Sequence, residues 1–145
     1  MSIQKILFPT DFAEGSAAAI PIAADLARKY NAKVYIIHVL VDIGRATGWY
    51  VPHASTGELA KDMEKGAREQ LDRVMLEEMR GYPDMERAVL VGSPAEEILR
   101  FAEKNNINLI VMGTSGRKGL DKMLFGSTAE KVVRNSKCPV LTVRA

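Results

Sequence analysis

The chain has one cysteine, Cys138, two histidines, His38 and His53, and one tryptophan, Trp49, in 145 residues. A lone thiol excludes an internal disulfide, and with two imidazoles it completes no ligand set for a transition metal. Net charge is scarce as well, at +2, too little to mark a nucleic-acid protein. No apolar run approaches the roughly 18 residues needed to cross a bilayer, so no membrane association is expected. The start, Met1-Ser2-Ile3-Gln4-Lys5, holds one basic residue and no small-residue cleavage site follows, so no signal peptide is expected. Internal repeats and low-complexity tracts are missing, and so is the GxxxxGK[ST] phosphate loop. Together these features lead us to expect a cytoplasmic protein.

What is present is ordinary for a globular chain: 47% hydrophobic and 26% charged residues. The length fits one domain over 1–145, large enough to bury about two-thirds of its unfolded surface. Charge is unevenly placed. Residues 113–145 hold Arg117, Lys118, Lys122, Lys131, Arg134, Lys137 and Arg144 against Asp121 and Glu130, a net of +5. The rest of the chain carries −3. Two readings of that excess stand, a solvated helix face or a local field favouring a polyanion.

Hydrophobic periodicity divides the chain into alternating elements. Ile3–Phe8 reads as a buried strand stopped by Pro9. Residues 14–30 are helical in pattern, with Ile20, Ala24 and Ala27 on one face. Pro21 lies inside that pattern, so either the first turn is irregular or the helix proper begins near Pro21. Lys33–Leu40 is the second strand, and 42–57 an irregular insert. A stripe from Leu59 through Met63, Ala67, Leu71 and Met75 predicts a helix as far as Arg80, stopped by Gly81-Tyr82-Pro83. Glu86–Val91 is the third strand. Ser93-Pro94-Ala95-Glu96 is a helix start with Ser as N-cap and Pro in the first turn. Asn108–Met112, 127–136 and Val140–Val143 supply the fourth strand, the last helix and the fifth strand.

Continuously apolar strands alternating with helices predict an α/β fold: one doubly wound, five-stranded parallel sheet with helices on both faces. Crossovers are right-handed, and the expected order is 3-2-1-4-5. Ligands in such sheets bind beyond the carboxyl ends of the strands where the winding reverses, here between strands 1 and 4. The loop after strand 1 is Pro9-Thr10-Asp11. The loop after strand 4 is Gly113-Thr114-Ser115-Gly116, and nine residues later Gly126-Ser127 opens the last helix. A strand, a glycine loop and a helix start in succession place backbone N–H groups at the positive end of a helix, where phosphates are held.

Each candidate in this crevice has a functional and a structural reading. Gly113 and Gly116 admit close backbone approach and positive φ, or simply close a strand. Ser127 either donates its hydroxyl to a phosphate or caps the last helix in a box with Glu130. Glu130 must point away, because a carboxylate in that turn would repel a phosphate. Asp11 either accepts from ribose hydroxyls or caps the next helix. Val39 and Leu40 either form an apolar wall for a base or fill the core. Arg117 and Lys118 either neutralise phosphates or are solvated. Cys138, beside Pro139, reads as core.

These residues resemble the universal stress protein family, specifically its ATP-binding branch, over nearly the whole chain. Lys5-Ile6-Leu7-Phe8-Pro9-Thr10-Asp11 is similar to the family's first strand and acidic loop, and Ile37-His38-Val39 to its second strand. Val91-Gly92-Ser93-Pro94-Ala95-Glu96-Glu97-Ile98 is similar to its third strand and following helix, and Cys138–Val143 to its close. Gly113, Gly116, Gly126 and Ser127 match the nucleotide motif of two glycines two residues apart, then nine residues, then Gly and Ser or Thr. The resemblance implies a Rossmann-like sheet of the adenine nucleotide alpha hydrolase type. It implies that Asp11 and Gly113 hold a ribose, that Val39 meets an adenine, and that Gly116, Gly126, Ser127 and Thr128 bind phosphates. Pro9, Thr10, Met112 and Arg117 complete the expected binding set. It also implies a homodimer through Val140–Val143, an apolar edge strand that would otherwise invite aggregation. Trp49, Tyr50 and His53, in the insert, inherit no role.

The expected function is therefore a regulatory or stress-response binder of ATP, ADP or AMP. Mg²⁺ would be carried by the phosphates, and hydrolysis would be slow at most. Two alternatives use the same scaffold. One is a true ATP hydrolase working through Asp11, Asp42 and a lysine from 117–122. The other is a dimeric interaction protein that binds no nucleotide, its glycine loop being structural.

Overall fold

The structure is a computed structural model and describes residues 2–41, 58–114 and 125–145. Five strands form one sheet: β1 Lys5–Pro9, β2 Lys33–Val41, β3 Met85–Gly92, β4 Leu109–Gly113 and β5 Val140–Val143. The order is β3-β2-β1-β4-β5, and every pair is parallel. This is the expected order. Among the described residues the helices are α1 Glu14–Ala17, α2 Ile20–Tyr30, α3 Glu58–Leu71, α4 Pro94–Lys104 and α5 Ser127–Asn135.

The central strands are apolar along their whole length because both faces are covered. On one face Ile6, Phe8, Val34, Ile36 and Val111 pack against Ala23, Ala27 and Leu71 of α2 and α3. On the other, Leu7, Ile37, Ile110 and Met112 meet Ala95, Ile98 and Ala102 of α4 and Ala129 and Val132 of α5. Among the described residues, no helix is long and apolar enough to cross a membrane.

One local expectation left open is decided and three are corrected. The helix proper of 14–30 begins near Pro21, as one of the two readings had it: the single turn α1 comes first, and α2 starts at Ile20 with Pro21 in its first turn, where its missing N–H costs nothing. The stripe from Leu59 does not continue as α-helix to Arg80. α3 ends at Leu71, turns follow, and Met75 takes a left-handed φ of 61° while remaining buried. Ser93 stands at the N-cap of α4 with Pro94 after it, but its hydroxyl makes no capping bond. Ser127 is the first residue of α5 and not its cap; that place belongs to Gly126.

Candidate functional site

β1 ends at Pro9 and β4 at Gly113, next to each other in the middle of the sheet. Chain connections leave in opposite directions from here, which opens a crevice beyond the strand ends. The crevice holds about 730 Å³, within the usual range for small-molecule sites.

The loop after β1 is tied at every residue. The Thr10 amide donates to the Ile37 carbonyl at 2.9 Å, extending the β1–β2 ladder. The Thr10 carbonyl lies 2.8 Å from His38 Nδ1; a carbonyl only accepts, so Nδ1 carries the hydrogen. Thr10 Oγ1 accepts from the Phe12 amide at 3.0 Å. Phe12 has a left-handed φ of 67°, and its ring stacks on His38 with centroids 4.1 Å apart. Such a conformation is rare for a bulky residue; here the stack and the Thr10 bond hold it.

Asp11 does not cap α1. Its Oδ1 accepts from the Ala13 amide at 2.9 Å, an Asx turn that leads into Ala13, the N-cap. The same Oδ1 accepts from the Ser16 hydroxyl at 2.5 Å, while Ser16 Oγ accepts from the Asp11 amide at 3.2 Å.

The loop after β4 is built differently. Gly113 is in strand conformation and does not take positive φ, contrary to the expected reason for a glycine there. A Cβ on it would collide with the backbone carbonyl of Gly15 in α1. Thr114, buried, donates its amide to Val143 at 3.1 Å and accepts from the Gly126 amide at 2.5 Å. That last bond brings the start of α5 directly beside the end of β4. Gly126 is extended, at φ −73° and ψ 168°.

The first N–H groups of a helix have no acceptor within it, and among the described residues no side chain caps those of α5. The expected box between Ser127 and Glu130 is not formed. Glu130 pairs instead with Arg134 one turn further on, 2.8 Å away, so its charge is directed along the helix. What remains at the helix start is a set of donors at its positive end.

Nine of the expected binding residues line this one crevice: Pro9, Thr10 and Asp11 from one loop, Val39 from β2, Met112 and Gly113 from β4, and Gly126, Ser127 and Thr128 at α5. Gly116 and Arg117 lie outside the described residues, as do Asp42, Lys118, Lys122 and the insert with Trp49, Tyr50 and His53. Leu40 does not line the crevice, although its β2 neighbours His38, Val39 and Val41 do. Sequence reasoning missed His38, Ser16 and Thr114 as wall residues, together with the apolar Ile37, Val41, Pro94, Ile98 and Ala129. A polar residue five positions after Asp11 was the available signal for Ser16; the others are set by contacts distant in sequence. Among the described lining residues, Asp11 is the one carboxylate.

Comparison with known proteins places the chain and its fold in a family. The model of the universal stress protein family matches residues 2–144. Universal stress protein MJ0531 of Methanocaldococcus jannaschii is 39% identical over 142 residues, covering 97% of this chain and 82% of that one. The solved structure of protein MJ0577, from the same organism, superposes with a TM-score of 0.85 at 27% identity, covering 100% of this chain and 98% of that one. A universal stress protein of Archaeoglobus fulgidus, solved in complex with dAMP, shares the fold at a TM-score of 0.60 and 23% identity, over 98% of each chain. This chain belongs to the universal stress protein family.

Proposed function

We propose that this protein is a regulatory binder of adenine nucleotides, ATP foremost, acting in the cytoplasm with at most slow hydrolysis. One observation carries the reading: the start of α5, which no side chain among the described residues caps, and the tied Thr10–Asp11 turn face a single crevice at the switch point of the sheet. Donors at a helix start suit phosphates. The acceptor Asp11 suits sugar hydroxyls, and buried Val39 offers an apolar wall to the base. Pro9, Thr10 and Met112 shape the floor between them. The dAMP complex of the Archaeoglobus protein supports the nucleotide class.

The Gly126 amide is already engaged by Thr114. The donors offered to phosphate are therefore the amides and hydroxyls of Ser127 and Thr128, with Gly116 and Arg117 proposed as further contacts. Asp11 already holds two donors on one oxygen, which makes it a poor general base. Mg²⁺ would be held chiefly by the phosphates. We further propose a homodimer through β5, which lies at one edge of the sheet.

The test is to denature purified protein, chromatograph the released small molecules, and measure melting with and without Mg-ATP. Bound adenine nucleotide or a ligand-dependent shift is expected; at a hundredfold above the dissociation constant the stabilisation is about 2.7 kcal/mol. The absence of both bound nucleotide and shift would overturn the reading and leave a dimeric interaction protein. Sustained turnover abolished by Asp11→Ala would make the protein a hydrolase.

A further inference from the structure

Ser16 lies on α1, a single turn between Glu14 and Ala17, and is buried although polar. Its hydroxyl is used in both directions by one neighbour. It donates to Asp11 Oδ1 at 2.5 Å and accepts from the Asp11 amide at 3.2 Å. Asp11 Oδ1 also takes the Ala13 amide at 2.9 Å. Both bonds to the carboxylate fall on Oδ1, and Oδ2 takes none from the described residues. The side-chain rotation of an exposed aspartate, ordinarily free, is fixed here by a residue that solvent hardly reaches.

The fold delivers Ser16 to this place by a backbone contact. The Gly15 carbonyl fills the space a Cβ on Gly113 would need, so α1 sits against the end of β4. The turn that supplies Ser16 and the strand end that borders the crevice are therefore one packed unit. Asp11, Ser16 and Gly113 all line the crevice.

We propose that Ser16 is a positioning residue for sugar recognition: by holding Oδ1 of Asp11 it presents Oδ2 to the hydroxyls of a bound ribose. This rests on the nucleotide reading above. A carboxylate held in one rotamer accepts from a hydroxyl without first losing side-chain freedom. A hydrogen bond to a charged acceptor contributes enough to change affinity tenfold or more. The advantage exists only for a ligand that has the hydroxyls.

The experiment compares ATP with 2′,3′-dideoxy-ATP on the full chain, by calorimetry, for the unaltered protein, Ser16→Ala and Asp11→Asn. The unaltered protein is expected to prefer ATP by about tenfold. Ser16→Ala should lower ATP affinity while leaving the dideoxy analogue nearly unchanged, reducing the preference to about threefold or less. Asp11→Asn should lose it as well. Equal weakening of both ligands in Ser16→Ala, or an unchanged preference, overturns the positioning role while leaving nucleotide binding intact. No binding of either ligand by the unaltered protein overturns both. If Ser16→Ala does not fold, Ser16→Cys, close in volume and weaker in hydrogen bonding, makes the same comparison. Its preference is expected to fall between the two, and a preference equal to that of the unaltered protein overturns the proposal.

Discussion

The backbone carbonyl of Gly15 occupies the space that a Cβ on Gly113 would fill, and the Ser16 amide lies 3.0 Å from that same point. Backbone atoms of a packed turn do not give way as a side-chain end does. Gly113→Ala is therefore expected to destabilise the fold by about 2 kcal/mol, read as a drop of several degrees in Tm. Gly66, inside α3, is the control. A Cβ there meets nothing within 4 Å, and Gly66→Ala should stabilise by about 0.5–1 kcal/mol. Equal effects at the two glycines would show that the contact between α1 and β4 is unimportant.

Ser127 stands at the start of a helix that no side chain among the described residues caps. An acidic side chain in a first turn stabilises by about 0.3–1 kcal/mol. The same charge repels a phosphate. Ser127→Asp is thus expected to melt at or above the temperature of the unaltered protein when no ligand is present, and to lose the Mg-ATP shift. A full shift in Ser127→Asp would place the phosphates elsewhere.

The parts legible in sequence were those governed by local pattern. Leu109–Met112 is apolar without interruption and Val140–Val143 but for Thr142, so their strands and the parallel sheet could be read directly. The strand order followed from handed crossovers, and with it the meeting of Asp11 and Gly113 at one crevice. What stayed hidden depends on contacts between distant residues. The stripe through Met75 looked helical because periodicity cannot register where a chain's carbonyls find donors. Arg87, on β3, donates from Nε to Leu71 O at 3.1 Å and from Nη2 to Val74 O at 2.8 Å. These bonds satisfy the end of α3 and let the chain leave the helix. Gly113 was likewise read as a loop glycine because its neighbour, Gly15, is 98 residues away in sequence. Ser127 matched a capping box, yet the Thr114–Gly126 bond makes Gly126 the cap.

Arg87→Leu tests that account of the α3 end. It keeps an apolar stem and takes the guanidinium from two carbonyls, leaving Leu71 O with the Val74 amide at 3.1 Å and Val74 O without its side-chain donor. A loss of about 2 kcal/mol is expected from denaturant unfolding. Arg87→Lys, with a single ammonium, should fall between. Equal stability of all three proteins would mean that water serves these carbonyls as well.

The proposed dimer seam puts Leu141 of β5, 37% exposed, at a sheet edge. Leu141→Lys places a charge on that edge, a common natural device against strand pairing. Sedimentation is expected to show a dimer for the unaltered chain and a monomer for Leu141→Lys, with the same secondary structure by circular dichroism. A dimer that survives the lysine would lie on another surface.

The Tyr82 hydroxyl lies against two carbonyl oxygens, that of Ala27 at 3.1 Å and that of Ala32. It has one hydrogen to offer, and losing it would set a phenolate against both oxygens. Burial pushes its pKa up, the charge of Asp84 adds to the rise, and Arg28 over the ring opposes it. The folded state therefore keeps this proton to higher pH than the unfolded chain does. With more protons bound when folded, stability falls as pH rises. The contribution is complete below the ordinary tyrosine value of about 10 and is lost as pH rises through the folded value. Tyr82→Phe is expected to cost about 1 kcal/mol at neutral pH. The difference from the unaltered protein should shrink as pH climbs above about 10. Lys33 and Lys137, whose pKa values Glu86 and Glu103 raise, titrate alike in both proteins and cancel in the comparison. Denaturant unfolding from pH about 7 to 11 measures it, and stability curves that stay parallel throughout would mean that this hydroxyl does not hold its proton through the two carbonyls.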